Sequence, residues 1–376
     1  MTGWLLRQLR LERGNTLFAC IAIGTAVAVV LVLQGFESGL YQQLRQVVMM
    51  RGGDLIVTQR GVTSFLASRS TLRQLSRGEV EAVPGVAATW PLTLVPLIYE
   101  RHGRKTPIML LVHDGRGGPG PLVQGRGIAG PREVVVDVSL LDLQHLAVGD
   151  TLELSGFGFR IVGATRGAAA MFTPLVFVRY DDLIDFYFES DLMGDLASLP
   201  LLGYLIVDAA PGVPAQRLAQ AIEAAVPDVS AWLPDRLAER DVTLGRTLFG
   251  PVMTVLVAIG YLICLLVVAL IVFSSVAGRQ RSLGLMMALG FPARSLLRIP
   301  LLEALLLTLA ALPVGLLAAL AIAGLVEWSE PLYRVEVTGA RLLAQVTTAT
   351  LLIALFAALV PLRLLTGLDP MRVFRR

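Results

Sequence analysis

Two cysteines, three histidines, one lysine and 16% charged residues in 376 positions leave little material for several kinds of chemistry. Cys20 and Cys264 both lie in apolar runs, and the long polar stretch between those runs has none. No disulfide framework is available, and a thiol in an apolar segment is a poor nucleophile. His102, His113 and His145 show no metal-ligand spacing. The sole lysine, Lys105, follows Arg104 where a phosphate-binding loop needs glycine, so no nucleotide site of the Walker type is built in. Gly35-Phe36-Glu37-Ser38-Gly39 does not fit a nucleophile elbow. The remaining basic residues are arginines in no tract, and a formal charge of +3 gives no nucleic-acid footprint. The expectation is a non-enzyme with no catalytic, cofactor-binding or metal residues.

Apolar residues are abundant. They make up 55% of the chain, and a mean hydropathy of +0.69 lies outside the range of soluble globular domains. They are also grouped. One run stands alone at about Leu17 to Leu33, a long polar stretch follows, and three more runs come at about Val252–Val276, Leu296–Val326 and Leu342–Leu362. Each is close to the ~20 residues that a membrane-spanning helix needs. The fold class expected is a polytopic α-helical membrane protein with four spans and a large α+β insert after the first.

Arginine placement orients the spans. Arg7, Arg10 and Arg13 precede the first; Arg279, Arg281, Arg294 and Arg298 lie between the second and third; Arg363, Arg372, Arg375 and Arg376 follow the fourth. The third-to-fourth connection mixes Glu327, Glu330 and Glu336 with Arg334 and Arg341. The bias places both termini in the cytoplasm and the insert outside, in a multi-pass protein of the inner (plasma) membrane. Ala26-Val27-Ala28 resembles a signal-peptide cleavage site, but the apolar stretch is long for one, and its removal would leave an odd number of spans.

The insert reads as mixed α and β. Glu37–Met50 continues the first span as a helix, and Asp54–Gln59 is a strand. Ser76-Arg77-Gly78-Glu79 has capping-box spacing for a helix ending before Pro84. Leu92–Glu100 and Thr106–His113 form a hairpin about Arg101-His102-Gly103-Arg104. After the Gly/Pro-rich linker Gly115–Pro121, a β-rich block holds Glu133–Val138, an alternating pair of runs turned by Ser155-Gly156, and Pro174–Tyr180. A βαβ-like unit closes the insert: Tyr204–Asp208, a helix with Pro214 in its first turn and Leu218, Ala221, Ile222 and Ala225 on one face, then Val229–Leu233.

The segment from Gly278 to Gly290 (GRQRSLGLMMALG), followed by Leu301-Leu302-Glu303-Ala304-Leu305-Leu306-Leu307 and the ending Asp369-Pro370-Met371-Arg372-Val373-Phe374-Arg375, resembles the MacB/FtsX-type ABC transporter permeases, in particular their DevC-like branch. Ser282 stands where that family usually has an acidic residue. The resemblance implies this organisation: an N-terminal segment and first span (1–36), a stalk helix (37–50), a porter-like α+β subdomain (51–113 with 200–235), an inserted β-rich Sabre-like subdomain (114–199), a second stalk helix (236–250), and the remaining spans, coupling loop and tail (251–376). It also implies a cytoplasmic ABC ATPase dimer as partner, a second permease subunit (a homodimer), a periplasmic adaptor protein, and membrane lipid around the spans. The expected function is mechanotransmission: ATPase-driven motion passed to the periplasmic domain to export a substrate. FtsX-like activation of a cell-wall hydrolase and LolC/LolE-like lipoprotein extraction are the alternatives.

Within that frame particular residues acquire candidate roles. The 279–290 segment is either a solvated loop or a short amphipathic coupling helix; the second reading is preferred, with Arg281, Leu285, Met286 and Leu289 contacting the ATPase. Ala22, Gly24, Ala26 and Ala28 are small residues at helical spacing and form a candidate dimer seam in the first span. Glu303 is expected to snorkel toward Arg298 or Arg294. The acid- and aromatic-rich run at 180–191 is either a solvated helix face or an adaptor-docking patch, the latter through Asp182, Phe186 and Glu189.

Overall fold

The computed structural model describes residues 13–66, 68–167, 169, 172–190, 202–278, 285–286 and 298–366. Among them the chain divides into a sheet unit, Gly39–Phe249 with Ser329–Arg334, and a helical unit made of the rest.

Four helices are long and apolar enough to cross a membrane: α1 (Arg13–Met49), and three whose numbers follow from their later place in the chain, Pro234–Gly278, Arg298–Ser329 and Ala340–Thr366. The core of the helical unit is built from small and β-branched side chains, among them Ile23, Ala28, Val268, Ala304, Ala311 and Ala354. Large apolar side chains such as Leu17, Leu262, Leu270, Leu317 and Phe356 are exposed instead. That inversion suits helices that approach one another through small surfaces and present large ones to lipid.

The sheet unit begins with β1 (Leu55–Gln59), α2 (Gln74–Glu81), β2 (Val86–Arg101) and β3 (Arg104–His113). It continues through β4 (Leu122–Gly125), β5 (Glu133–Asp137), α3 (Val138–Gln144), β6 (Thr151–Leu154), β7 (Phe157–Thr165), β8 (Leu175–Arg179) and α4 (Tyr180–Glu189). It closes with β9 (Tyr204–Ala209), α5 (Ala215–Ala225) and β10 (Val229–Trp232), after which α6 (Pro234–Gly278) leads to α7 (Arg298–Ser329) and α8 (Ala340–Thr366). All ten strands share one sheet in the order β10-β1-β9-β2-β3-β8-β5-β7-β4, with β6 also on β7.

The first four strands of that order form a split βαβ pattern. β1 lies antiparallel between β9 and β10, and β9 lies antiparallel between β1 and β2, so α2 and α5 are the crossovers of two interleaved parallel pairs. One face packs on those helices through Leu55, Val57, Val80, Leu205, Leu218 and Ile222. The other packs Ile56, Leu92 and Ile206 against Val47 and Val48 of α1 and Leu237 and Ala238 of α6. With both faces covered, β1 reads as an apolar run rather than an alternation. The second block joins the same sheet through the parallel β3/β8 pair and has its own core around Phe157, Phe159 and Phe186.

Two hairpins turn where Gly sequences predict. His102-Gly103 and Ser155-Gly156 all have positive φ, the two-residue turn whose twist matches the strands it joins. Two local expectations fail. Helix α2 starts at Gln74, two residues before Ser76, which is buried within it, so the capping box does not form; burial of the Ser76 face outweighs a cap. Pro214 is the N-cap rather than a first-turn residue, and α5 buries Leu218, Ala219 and Ile222 while Ala221 and Ala225 face solvent.

Candidate functional site

In the helical unit, α1 and α7 cross at glycines. A Cβ at Gly24 would lie 3.0 Å from Val314 Cγ1, and one at Gly315 would lie 2.9 Å from the Gly24 carbonyl oxygen. Ala26 and Ala28 are fully buried in the same core and Ala22 is half-buried. Within the chain, Gly24 thus packs directly on α7, and Ala26 and Ala28 lie in the same core. Leu17, Phe18, Ile21 and Val29 are exposed apolar side chains of α1.

Glu303 does not snorkel. It is buried on α7 and accepts a hydrogen bond from Ser275 Oγ of α6 at 2.7 Å. Gln34 of α1 donates to the Tyr261 hydroxyl of α6 at 3.2 Å. Polar pairing across helices inside the bundle therefore ties α6 to both α1 and α7. Of the expected coupling residues, Leu285 and Met286 are helical; Leu285 is exposed, whereas Met286 packs partly on the bundle core. Arg281 and Leu289 lie outside the described residues.

A second glycine pair, Gly35 and Gly39, has GxxxG spacing in the sequence. At Gly35, in the helical unit, a Cβ would meet Val337 Cγ1 at 2.9 Å, and the Gly35 carbonyl accepts from Glu336 N at 2.9 Å. At Gly39, in the sheet unit, a Cβ would lie 2.1 Å from the Arg334 carbonyl oxygen. The GxxxG spacing lets an extended connection lie directly on a helix backbone. In the sheet unit Gln43 also donates to the Leu332 carbonyl at 3.3 Å, and Tyr333 meets the ring of Phe172 edge-on.

Just beyond α1, Arg51 is 1% exposed. Its Nε donates back to the Val47 carbonyl at 2.9 Å, its Nη1 to the carbonyls of Gly117 and Gly118, and its guanidinium lies 5.2 Å from the centre of the Phe177 ring. Burial lowers its pKa to about 9. His113 lies edge-on to the same ring, and burial first, then the nearby Arg51 charge, lower it to about 4. Arg51 thus clamps the linker between the two sheet blocks to the end of α1. No sequence pattern pointed to it, since an isolated arginine after a helix reads as a solvated one.

The docking patch expected at 180–191 also needs correction. Asp182 and Phe186 are buried on α4: Phe186 fills the second core, and Asp182 accepts from the Arg132 backbone N–H at 2.9 Å. The helix lies on the sheet through Asp182, Leu183, Phe186 and Tyr187. Glu189 is exposed and pairs with Arg132, and the outward face is Asp181, Ile184, Asp185 and Phe188. Among the described residues no group of three His, Cys, Asp or Glu could hold a metal ion.

Four apolar helices, with a sheet-rich insert between the first and second along the chain, define a membrane-embedded subunit with an extramembrane domain. Comparison with known proteins makes this specific. A family model for the MacB-like periplasmic core domain matches residues 16–225, and one for the FtsX-like permease C-terminal region matches residues 254–370. Two uncharacterized ABC transporter permeases of Mycobacterium tuberculosis are 25% identical over 323 residues and 26% identical over 330, covering 85% of this chain and 85% of each relative. Among solved structures, the periplasmic region of MacB from Actinobacillus actinomycetemcomitans is 13% identical with a TM-score of 0.37, covering 53% of this chain and 96% of that one. The extracellular domain of the noncanonic ABC-type transporter YknZ from Gram-positive bacteria is 10% identical with a TM-score of 0.34, covering 48% and 100%. The chain belongs to the MacB/FtsX family of ABC transporter permeases. Membership implies a separate ATPase partner and a dimeric permease.

Proposed function

We propose that this permease passes ATPase-driven motion through α1 and α6 to the sheet unit, and so drives export of a substrate together with an adaptor protein. The observation that carries the reading is helix continuity. α1 has 37 residues and α6 has 45 with Pro251 inside it, each helical throughout and each contributing to both units. At 1.5 Å per residue they are ~55 and ~67 Å long, well beyond the ~30 Å of a bilayer core. Rigid elements of that length move as levers, and a working stroke needs such elements in two discrete arrangements.

In this reading the arginine-rich 279–297 connection and both termini are cytoplasmic, and exposed Leu285 is the apolar contact offered to the ATPase. The outward face of α4, with Glu189, Ile184 and Phe188, is the adaptor contact. Inserting two glycines after Gln46 tests the stroke. Each glycine costs about 1 kcal/mol relative to alanine in a helix and makes a flexible joint. Folding and ATPase binding are expected to survive while export is lost. Full export through that joint would refute transmission by the stalk. Leu285→Asp should uncouple ATP turnover from the permease without affecting insertion. A cysteine at Gly118 should react with an impermeant maleimide in spheroplasts, and one at Ala293 only after permeabilisation.

A further inference from the structure

We propose that Ser275 and Glu303 are positioning residues: their hydrogen bond latches α6 to α7 so that the two helices move as one body when the ATPase acts on the chain between them. The inference deepens the transmission reading and rests on it.

Position along the chain is the first ground. Ser275 lies in the last turn of α6, which ends at Gly278, and Glu303 lies within the first two turns of α7, which begins at Arg298. Their 2.7 Å bond therefore joins the two helices close to the ends that the 279–297 connection links. Both residues belong to the helical unit, as do Leu285 and Met286. Leu285 is exposed, and Met286 packs on the bundle core.

The choice of acceptor is the second ground. A serine or threonine hydroxyl in a helix has an acceptor at hand in the carbonyl four residues back. Thr25, Thr348 and Thr350 of the helical unit donate there, to the carbonyls of Ile21, Ala344 and Val346 at 2.9, 2.8 and 2.7 Å. Ser275 donates instead to Glu303 Oε1 on another helix. A local bond leaves neighbouring helices free to slide, whereas a bond across them fixes their relative height and rotation at one point.

The surroundings are the third. Val272 and Val276 near Ser275 in α6, and Ile299, Ala304 and Leu307 near Glu303 in α7, are buried in the bundle core. In such surroundings a hydrogen bond is stronger and a polar group left unpaired is costlier, so slippage of one helix past the other is opposed. Packing alone would be served by the leucines and alanines that fill the rest of α7. An ionisable side chain buried in a membrane-spanning helix is costly to keep and marks a function by default.

The test uses the full chain co-purified with its ATPase and placed in liposomes. It reads permease-dependent ATP turnover, KM for ATP, ATPase retained per permease and melting temperature. Ser275→Ala and Glu303→Ala should each lower kcat about fivefold, with KM and ATPase retention unchanged. Their melting temperatures should shift by no more than about 3 °C. Ser275→Thr and Glu303→Gln keep a donor and an acceptor and should keep turnover. Because a single bond is cut, the double alanine variant should also fall about fivefold, not the about 25-fold of two independent losses.

Leu285→Asp is measured beside them. If it uncouples turnover while Ser275→Ala keeps full turnover, this inference is overturned and transmission stands; full turnover in both overturns the two together. A multiplicative double variant, an equal loss in Ser275→Thr, or a turnover loss that tracks the melting temperature identifies a structural bond only and also overturns the latch. If Glu303→Ala does not accumulate in membranes, Ser275→Ala against Ser275→Thr decides alone.

Discussion

The helical and sheet units solve the same packing problem with opposite materials. In the helical unit the interior contacts are made by Gly24, Ala28, Ala311 and Gly315, and the large side chains of α6 and α7 face outward. In the sheet unit large aromatic side chains, Phe157, Phe159, Phe177 and Phe186 among them, are inside. Water expels apolar area from the surface of the sheet unit, whereas lipid is as apolar as leucine and leaves close van der Waals approach and cross-helix hydrogen bonds to hold helices together. Buried polarity differs in kind too. The helical unit places single polar pairs between helices, Glu303 with Ser275 and Gln34 with Tyr261; the sheet unit buries Arg51, Asp182 and Asp241 to fix loops by their backbone groups.

The sharpest way to break that contrast is at its glycines. Gly39→Leu puts a Cβ 2.1 Å from a backbone oxygen, which no rotamer change relieves. The variant should lose more than about 3 kcal/mol and fail to accumulate in membranes, read by immunoblot and thermal melting. Normal accumulation would mean that the Glu330–Arg334 connection does not lie on α1.

Acid should loosen the sheet unit around His113. Burial and the Arg51 charge lower His113 from 6.5 to about 4, so the neutral ring is the native form. A histidine with a depressed folded value gives stability that is present above its unfolded value, and that stability is lost as pH falls from 6.5 to about 4, by up to about 3 kcal/mol. Hydrogen exchange around Arg51 and Phe177 should speed up across that window, and His113→Leu should flatten the response. An equal acid response throughout the helical unit would contradict the assignment.

Gly24→Leu is expected to be milder, about 1–3 kcal/mol, because the nearest atom is the Val314 side chain, which can give. Its melting temperature should fall less than that of Gly39→Leu; the reverse order would show that the α1–α7 crossing is the tighter one. Smallest of all is Asp235→Asn. The Arg45–Asp235 pair is 2.6 Å long but 48% and 63% exposed, so screening limits its worth and denaturant midpoints should shift by less than about 1 kcal/mol.

Features whose cause is local were legible in advance. Four apolar runs became four long helices because their length answers to a bilayer, and the two hairpins closed at their His-Gly and Ser-Gly pairs. The candidate sites fared worse, for reasons a single sequence conceals. Asp182 and Phe186 alternate with polar neighbours, yet which side of α4 meets β3 and β8 depends on the register of strands distant in the chain. Gly24 in α1 announced a close contact without naming the partner, and within the chain it packs on α7.

By itself the sequence determined that the chain spans a membrane with four helices and carries a folded α+β insert, because hydropathy, span length and turn chemistry are properties of short segments. Only the tertiary structure decided that the two β blocks share one sheet, that Arg51 is buried against Phe177 and the Gly117–Gly118 carbonyls, and that Ser275 of α6 meets Glu303 of α7. Those depend on residues tens to hundreds of positions apart, and strand order, burial of a charge and a bond between helices exist only once such residues have met.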